Sequence, residues 1–286
     1  MIHFRYGEKI FKDSLSEMWG LCFPDDTPEF RAFYFEKVYR DEETLVLLED
    51  NKPIASLQMI PYQIKLEDKI YPAAYISGAM THPDFQGKTY MRKLLNHAFE
   101  EMKRKKIPIT FLIPQGERLF NFYSKHGYQK AFPCNSKSIF ILKEEKNETD
   151  CFIQHKTMEK INLEELYSIY SDFLNKKENV VLKTMQQFST ILEDLFMDNG
   201  TLFAGKNKIA LTIPDEDNSF TILKECVCNS DEKEEFLSTI ANLSGKNKII
   251  EINSPSGDFS HYWGMMRVLD ESVNVTKDIY MNTMLN

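Results

Sequence analysis

Residues 75–95 constrain the fold of this chain more than any other stretch. The segment 75–81 has the composition of a strand, and Pro83 stops it because proline cannot donate to a sheet ladder. A short loop with Gly87 and Lys88 at its centre follows. Beyond the loop, apolar residues recur at the spacing of one helix face, namely Met91, Leu94, Leu95, Ala98, Phe99 and Met102. The sequence therefore predicts a strand, a tight loop and a helix.

This order of elements suits the binding of phosphate. The free N–H groups in the first turn of a helix point toward the preceding loop, and the helix dipole favours an anion there. Lys88, Arg92 and Lys93 add positive charge, against the single carboxylate of Asp84. Spacing alone leaves an ordinary strand-to-helix connection with solvated basic residues equally open.

Three segments in family order resemble the GCN5-related N-acetyltransferase (GNAT) superfamily. The loop sequence QGKTYM at 86–91 is similar to the Q/R-x-x-G-x-G/A motif, and a strand at 109–114 follows the helix. The segment FYSKHGY at 122–128 is similar to the family's Y-x-x-x-G-F/Y pattern. The resemblance covers about residues 44–143 and implies a loop that cradles the pyrophosphate of acetyl-CoA.

The resemblance assigns the coenzyme to the strand end and the loop. The implied cofactor-binding residues are Ala79, Met80, Thr81, Gln86, Gly87, Lys88, Thr89, Tyr90, Met91 and Arg92. The backbone of 79–81 would pair with the pantetheine amides like an added strand. An N–H near Ala79 or Met80 would donate to the developing oxyanion, which gives Met80 a catalytic role. Thr89 stands where the family usually has Gly, and its β-branched side chain narrows the approach of a ligand to the backbone.

Tyr123 is the residue that the resemblance implies as general acid. It follows the second parallel strand on a helix, and a phenol with a reference pKa of about 10 suits a thiolate leaving group. A core tyrosine on an amphipathic helix is the alternative. No general base stands out among the titratable residues near the expected site, which are Asp25, Asp26, Glu29, Glu36 and His82.

The order of predicted elements repeats along the 286 residues. We expect a mixed α/β fold of tandem GNAT (acyl-CoA N-acyltransferase) folds, the second degenerate. The first, catalytic domain spans 1–143 and closes with a hairpin at 128–142. A polar linker at 144–151, a second domain at 152–270 and a tail at 271–286 follow. This two-copy order resembles the bacterial enhanced-intracellular-survival acetyltransferases without their sterol-carrier-like third domain.

Composition limits the partners and the compartment. The net charge of −8, with no run of five like charges, argues against a nucleic-acid partner. No stretch of 18 apolar residues exists, so no membrane span is expected. The five scattered cysteines and the absence of a signal-peptide core at the N-terminus predict a cytoplasmic protein. Cys226 and Cys228 form a C-x-C without further ligands at metal spacing, so no metal is expected. Homo-oligomerisation stays open.

The sequence thus predicts an N-acetyltransferase that moves an acetyl group from acetyl-CoA to a primary amine of a small molecule or peptide. The amine would attack directly in a ternary complex. Two alternatives stay open. The first is an aminoacyl-tRNA-dependent peptidyl transferase of tandem GNAT fold, which needs a basic RNA-binding face. The second is a non-catalytic acyl-CoA-binding protein.

The second domain is predicted to bind no coenzyme A. Its counterpart of the phosphate loop spans 226–235 and carries the carboxylates of Asp231, Glu232, Glu234 and Glu235. These lie in the first turn of the predicted helix, where they would neutralise its partial positive charge.

Overall fold

Helices and strands alternate along the chain in the order expected of a mixed α/β fold. The computed structural model describes residues 1–141, 152–253, 259–275 and 278–285. The helices are α1 (Lys12–Cys22), α2 (Pro28–Lys37), α3 (Tyr90–Arg104), α4 (Glu117–Ser124), α5 (Leu163–Asn175), α6 (Met185–Met197) and α7 (Lys233–Ser244). The strands are β1 (Ile2–Tyr6), β2 (Thr44–Glu49), β3 (Lys52–Leu66), β4 (Lys69–Thr81), β5 (Ile109–Leu112), β6 (Gln129–Phe140), β7 (Ile153–His155), β8 (Asn179–Leu182), β9 (Thr201–Gly205), β10 (Lys208–Pro214), β11 (Thr221–Val227), β12 (Lys248–Ile252) and β13 (Phe259–Val268).

The chain folds as two units. Unit 1 comprises Met1–Ala131 and Gly264–Lys277, and unit 2 comprises Phe132–Trp263 and Asp278–Leu285. The predicted linker at 144–151 lies outside the described residues. The domain boundaries given by the sequence stay a prediction. Among the described residues, no helix combines the length and the apolar character needed to cross a bilayer.

Unit 1 contains a mixed sheet in the order β1-β2-β3-β4-β5, with residues 264–268 of β13 beyond β5. The pairs from β1 to β4 are antiparallel. β4 and β5 are parallel because α3 carries the chain back across the sheet between them. The end of β13 then pairs antiparallel with β5, from Met265 opposite Leu112 to Val268 opposite Ile109.

The predicted apolar face of α3 forms the core of unit 1. Leu94, Leu95, Ala98, Phe99 and Met102 are buried, and Met91 packs beside them partly buried. Their partners are the strand residues that point to the same side of the sheet, including Leu45, Leu57, Met59, Ala74 and Ile76. Since side chains alternate along a strand, Ser56, Gln58 and Ser77 point to the opposite face. α1 packs against β3 and β4.

Unit 2 repeats the pattern of sheet and crossover helix. Its strands follow the order β6-β12-β11-β10-β9-β7, and α7 connects β11 to its parallel neighbour β12. α7 contributes Phe236, Leu237, Ile240 and Ala241 to a core with Phe203 and Leu223. The predicted hairpin at 128–142 is wrong within the described residues, because β6 is a single strand. Its residues 136–140 stay extended by pairing with β12.

The end of the chain is built into unit 2. Tyr280 lies beside β8, where its N–H donates to Asn179 O (3.0 Å) and its carbonyl accepts from Val181 N (3.0 Å). The side chains around it are buried, among them Ile279, Met281, Met284 and Leu285. No local pattern predicts this docking, because the hydrogen-bonding partners lie about one hundred residues earlier.

Candidate active site

The loop between β4 and α3 has two residues in the left-handed region of backbone space. Gly87 has φ +75° and Thr89 has φ +63°. Glycine adopts such angles freely, whereas a β-branched residue there is a strained outlier. The side chain of Gln86 ties the loop to the strand, since its Nε2 donates to Thr81 O (3.1 Å). The position at which the chain departs from the family pattern is therefore one where the backbone favours glycine.

The N-terminus of α3 is open to an anion. Lys93 N is the donor to Thr89 O at 3.1 Å, so the N–H groups of residues 90–92 lie ahead of this hydrogen bond. Within the described residues Thr89 makes no side-chain cap, and no acidic residue occupies the first turn. Lys88 belongs to the loop. Its Nζ donates to Asp84 O (3.2 Å) and lies 5.0 Å from the centre of the Phe85 ring. The start of α3 thus offers backbone N–H donors with the Lys88 ammonium nearby, a combination that suits an anion.

β4 separates from β5 before it reaches this loop. The parallel pairing runs from Ala73 opposite Ile109 to Tyr75 opposite Phe111 and goes no further among the described pairs. On the other side, β4 pairs with β3 through a bulge, because Ser77 faces Gln58 whereas Met80 faces Ser56. Gly78 lies in the bulge with φ +55°. The strand segment assigned to the pantetheine, 79–81, thus belongs to the stretch without a β5 partner.

Tyr34 and its hydrogen-bond partners Gln58 and Ser77 lie on the side of the bulge that faces α1 and α2. Tyr34 is 2% exposed, and its hydroxyl lies 2.5 Å from Gln58 Oε1 and 2.7 Å from Ser77 Oγ. Gln58 Nε2 is buried without a hydrogen-bond partner in the described part of the chain. The indole of Trp19 packs on Tyr34, with ring centres 4.4 Å apart. Of the aromatic residues on α2, Tyr34 and Phe35 are therefore buried beside the sheet, and sequence reasoning did not identify their polar partners.

Tyr123 lies on α4 in the core of unit 1. Its ring packs edge-on against Tyr128 and Phe122, and 7% of the residue is exposed. Burial raises the pKa of its hydroxyl to about 12. The phenol therefore stays protonated at physiological pH and is able to donate a proton or a hydrogen bond. Its role as general acid stays a prediction.

Glu43 carries a carboxyl group with a shifted pKa that sequence reasoning did not identify. Burial raises the pKa of Glu43 to about 7, and the neighbouring Glu42 adds to the shift. Of the candidate bases, Asp26 accepts a hydrogen bond from Trp19 Nε1 (2.6 Å), and His82 Nδ1 accepts one from Asp84 N (3.3 Å). A tertiary environment, which no local pattern encodes, causes the shift at Glu43.

The corresponding loop in unit 2 is filled by the chain's own charges. Glu232 precedes α7 and pairs with Lys208 (2.8 Å), while Lys233 pairs with Glu251 (2.5 Å). As in unit 1, the parallel pairing stops early, at Leu223 opposite Glu251. The cationic groups nearest to this helix start are thus already engaged with carboxylates.

Unit 2 contains a buried polar cluster formed by Glu225, Tyr280 and Asn282. The hydroxyl of Tyr280 donates to Glu225 Oε1 (2.5 Å), and Asn282 Nδ2 donates to Tyr280 Oη (3.2 Å). Burial raises the pKa of Glu225 and lowers that of Lys183 to about 8. The cluster contains no residue that the sequence assigned to a site.

Comparison with known proteins shows which family and which fold this chain is similar to. Residues 3–131 match the family model described as an acetyltransferase (GNAT) domain. No curated protein matches the sequence. The fold of the whole chain is similar to a GCN5-related N-acetyltransferase from Anabaena variabilis, with TM-score 0.76 and 15% identity over 94% of this chain and 73% of that one.

Two further solved structures share the fold. A probable N-acyltransferase from Enterococcus faecalis has TM-score 0.76 at 13% identity, covering 94% of this chain and 73% of its own. Eis1 from Mycobacterium abscessus has TM-score 0.69 at 10% identity, covering 94% of this chain and 74% of its own. At these identities the likeness establishes the fold, which is the tandem GNAT arrangement that the sequence predicted.

Proposed function

Residues 3–131 of this chain match the acetyltransferase (GNAT) domain family, and from that premise we propose that the protein transfers an acetyl group from acetyl-CoA to a primary amine. The acceptor would be a small molecule or a peptide that attacks the thioester directly in a ternary complex. The observation that carries the proposal is the uncapped start of α3 beside the part of β4 that has no β5 partner. The helix start would offer donors to a diphosphate, and the neighbouring strand would offer its edge to the pantetheine.

The coenzyme would lie along the strand end and the loop. Its pyrophosphate would accept hydrogen bonds from amides between Gly87 and Arg92, with Lys88 and Gln86 beside them. Thr89, Tyr90 and Met91 would contribute through their backbones. The pantetheine would pair with the backbone of 79–81.

The chemical step would need few side chains. The amine lone pair attacks the thioester carbonyl carbon, and an N–H of Ala79 or Met80 donates to the oxyanion. The C–S bond then breaks and the leaving thiolate takes the proton of Tyr123. The ammonium loses a proton to solvent, and a proton from solvent restores the phenol of Tyr123. Burial raises the pKa of Tyr123 to about 12, so the phenol would stay protonated at physiological pH and would give up its proton only as negative charge develops on the sulfur.

Unit 2 would bind no coenzyme A. The Lys208–Glu232 and Lys233–Glu251 pairs support this, because a diphosphate at the start of α7 would meet carboxylates and would have to break both pairs. A structural role for unit 2 follows. The proposal also places the protein in the cytoplasm, where acetyl-CoA and free amines are both available.

Two assays on the full chain test the proposal. Calorimetry with coenzyme A measures binding, and thiol release from acetyl-CoA with a panel of primary amines measures transfer. Binding with amine-dependent thiol release is the expected result. Binding without release from any amine would favour the acyl-CoA-binding alternative, whereas no binding together with affinity for aminoacyl-tRNA would favour the peptidyl transferase.

A charge-reversing pair of variants tests where the coenzyme binds. Lys88→Glu places a carboxylate against the phosphates and should raise the Kd for coenzyme A about tenfold, or 1.4 kcal/mol. Lys69→Glu makes the same charge change on an exposed lysine at the far end of β4 and should leave the Kd unchanged. Equal Kd values for wild type and Lys88→Glu would refute the proposed pyrophosphate position.

A further inference from the structure

Gly78 leaves no free space on its α1 side. A Cβ built on this residue would lie 2.6 Å from Cζ3 of Trp19, well inside van der Waals contact. The indole therefore touches the backbone of the β4 bulge itself. This contact lies next to Ala79 and Met80, whose N–H groups we assign to the thioester carbonyl.

The indole is held in place from several sides. Its Nε1 donates to Asp26 Oδ2 at 2.6 Å, and its ring packs against Phe23 (4.7 Å between centres) and Phe35 (5.8 Å). Only 5% of Trp19 is exposed. A fully hydrogen-bonded, aromatic-packed indole does not change its position without breaking several contacts at once.

A second buried aromatic ring, that of Tyr34, lies against the indole. Tyr34 packs on Trp19 and is itself fixed to Gln58 and Ser77 through its hydroxyl. Ser77 is the residue immediately before Gly78 in β4. The side of the bulge that faces α1 and α2 is thus closed by two buried aromatic rings and a hydrogen-bonded group.

We propose that Trp19 limits the length of the acyl group, so that the site accepts acetyl and similarly short acyl-CoA thioesters and excludes long-chain ones. This inference rests on the proposed function, because it takes the thioester carbonyl to lie at the bulge. An acyl chain that runs past Gly78 meets the indole within its first methylene groups. Trp19 is a specificity-determining residue in this account and takes no part in proton transfer.

The wild-type protein alone allows a first test by calorimetry with acetyl-CoA and octanoyl-CoA. A chain that is buried contributes about 0.8 kcal/mol for each methylene group, so octanoyl-CoA should bind far more tightly wherever its tail has a pocket. Because the indole excludes the tail, we expect octanoyl-CoA to bind the wild type no more tightly than acetyl-CoA. Octanoyl-CoA binding about threefold or more tightly than acetyl-CoA would show that the tail is accommodated with Trp19 in place, and would overturn the inference while the proposed function stands.

Two variants locate the limit. Trp19→Ala should make octanoyl-CoA bind at least about tenfold more tightly than acetyl-CoA, because it opens space along Gly78. Phe203→Leu removes part of a buried ring in the core of unit 2, where it touches neither Trp19 nor Gly78, and should keep the wild-type ratio. A folded Trp19→Ala protein with an unchanged ratio would refute the role of Trp19. If the wild type binds neither acyl-CoA thioester nor coenzyme A, the proposed function is refuted, and this inference with it.

Discussion

Replacing Thr89 by glycine tests the strain in the loop that precedes α3. Thr89 has φ +63°, and a left-handed conformation costs an L-residue about 1–2 kcal/mol. Glycine avoids that cost but loses about 0.5–1 kcal/mol more conformational entropy on folding. The two terms leave Thr89→Gly more stable than the wild type by about 0–1.5 kcal/mol, or roughly 0–6 °C in Tm.

Thermal unfolding and calorimetry measure this variant. The Tm should stay the same or rise, and the Kd for coenzyme A should stay the same or fall because the backbone gains clearance. Thr89→Ala is the matched control, since it removes the β-branch but keeps a Cβ in the left-handed region. Its Tm should lie below that of Thr89→Gly. A Tm for Thr89→Gly that falls by more than about 3 °C would refute the strain argument and assign the threonine side chain a stabilising contact.

Three further substitutions have defined outcomes. Tyr123→Phe should lower kcat about 10²-fold with little change in the Kd for coenzyme A, and equal losses of stability and activity would favour a core role instead. Glu43→Gln should remove a loss of unfolding free energy that the wild type suffers between pH 4.5 and pH 8, which is about 1 kcal/mol after allowance for partial exposure. The sign follows from the raised pKa of about 7, because the folded state keeps a proton that the unfolded state loses. Wild-type stability therefore falls as the pH rises from 4.5 to 8. A variant whose denaturation shows the same pH dependence as the wild type would contradict this prediction. Tyr280→Phe removes the shorter of two hydroxyl hydrogen bonds to buried Glu225, the other coming from Tyr170 at 3.4 Å, and should cost about 1.5–3 kcal/mol in urea unfolding. A cost near zero would show that the remaining donors satisfy Glu225.

Local patterns were sufficient to predict the elements that position the site. The spacing of Leu94, Leu95, Phe99 and Met102 predicted α3, and the structure confirms that face as the core of unit 1. Pro83 correctly marked the end of β4. These predictions succeed because helix periodicity and proline act within a few residues of the chain.

The remaining features depend on residues that are distant in sequence. The bulge at Gly78 depends on the register between β3 and β4, and the contact of Trp19 with Gly78 joins residues about sixty positions apart. The pairing of β13 with β5 and the docking of Tyr280 beside β8 are likewise non-local. No periodicity encodes such contacts. The sequence therefore predicted the loop before α3 but not the contacts that Trp19 and Tyr34 make at the bulge.

Calorimetric titration of the full chain with coenzyme A tests whether the start of α3 is the coenzyme site, because the titration counts sites. We expect one site per chain, weakened about tenfold by Lys88→Glu and unchanged by Lys69→Glu. Two sites per chain would contradict the assignment of unit 2 as non-binding, where Glu232 and Glu251 already occupy the nearby lysines. A single site that is insensitive to Lys88→Glu, or no binding at all, would contradict the proposed coenzyme site at the start of α3.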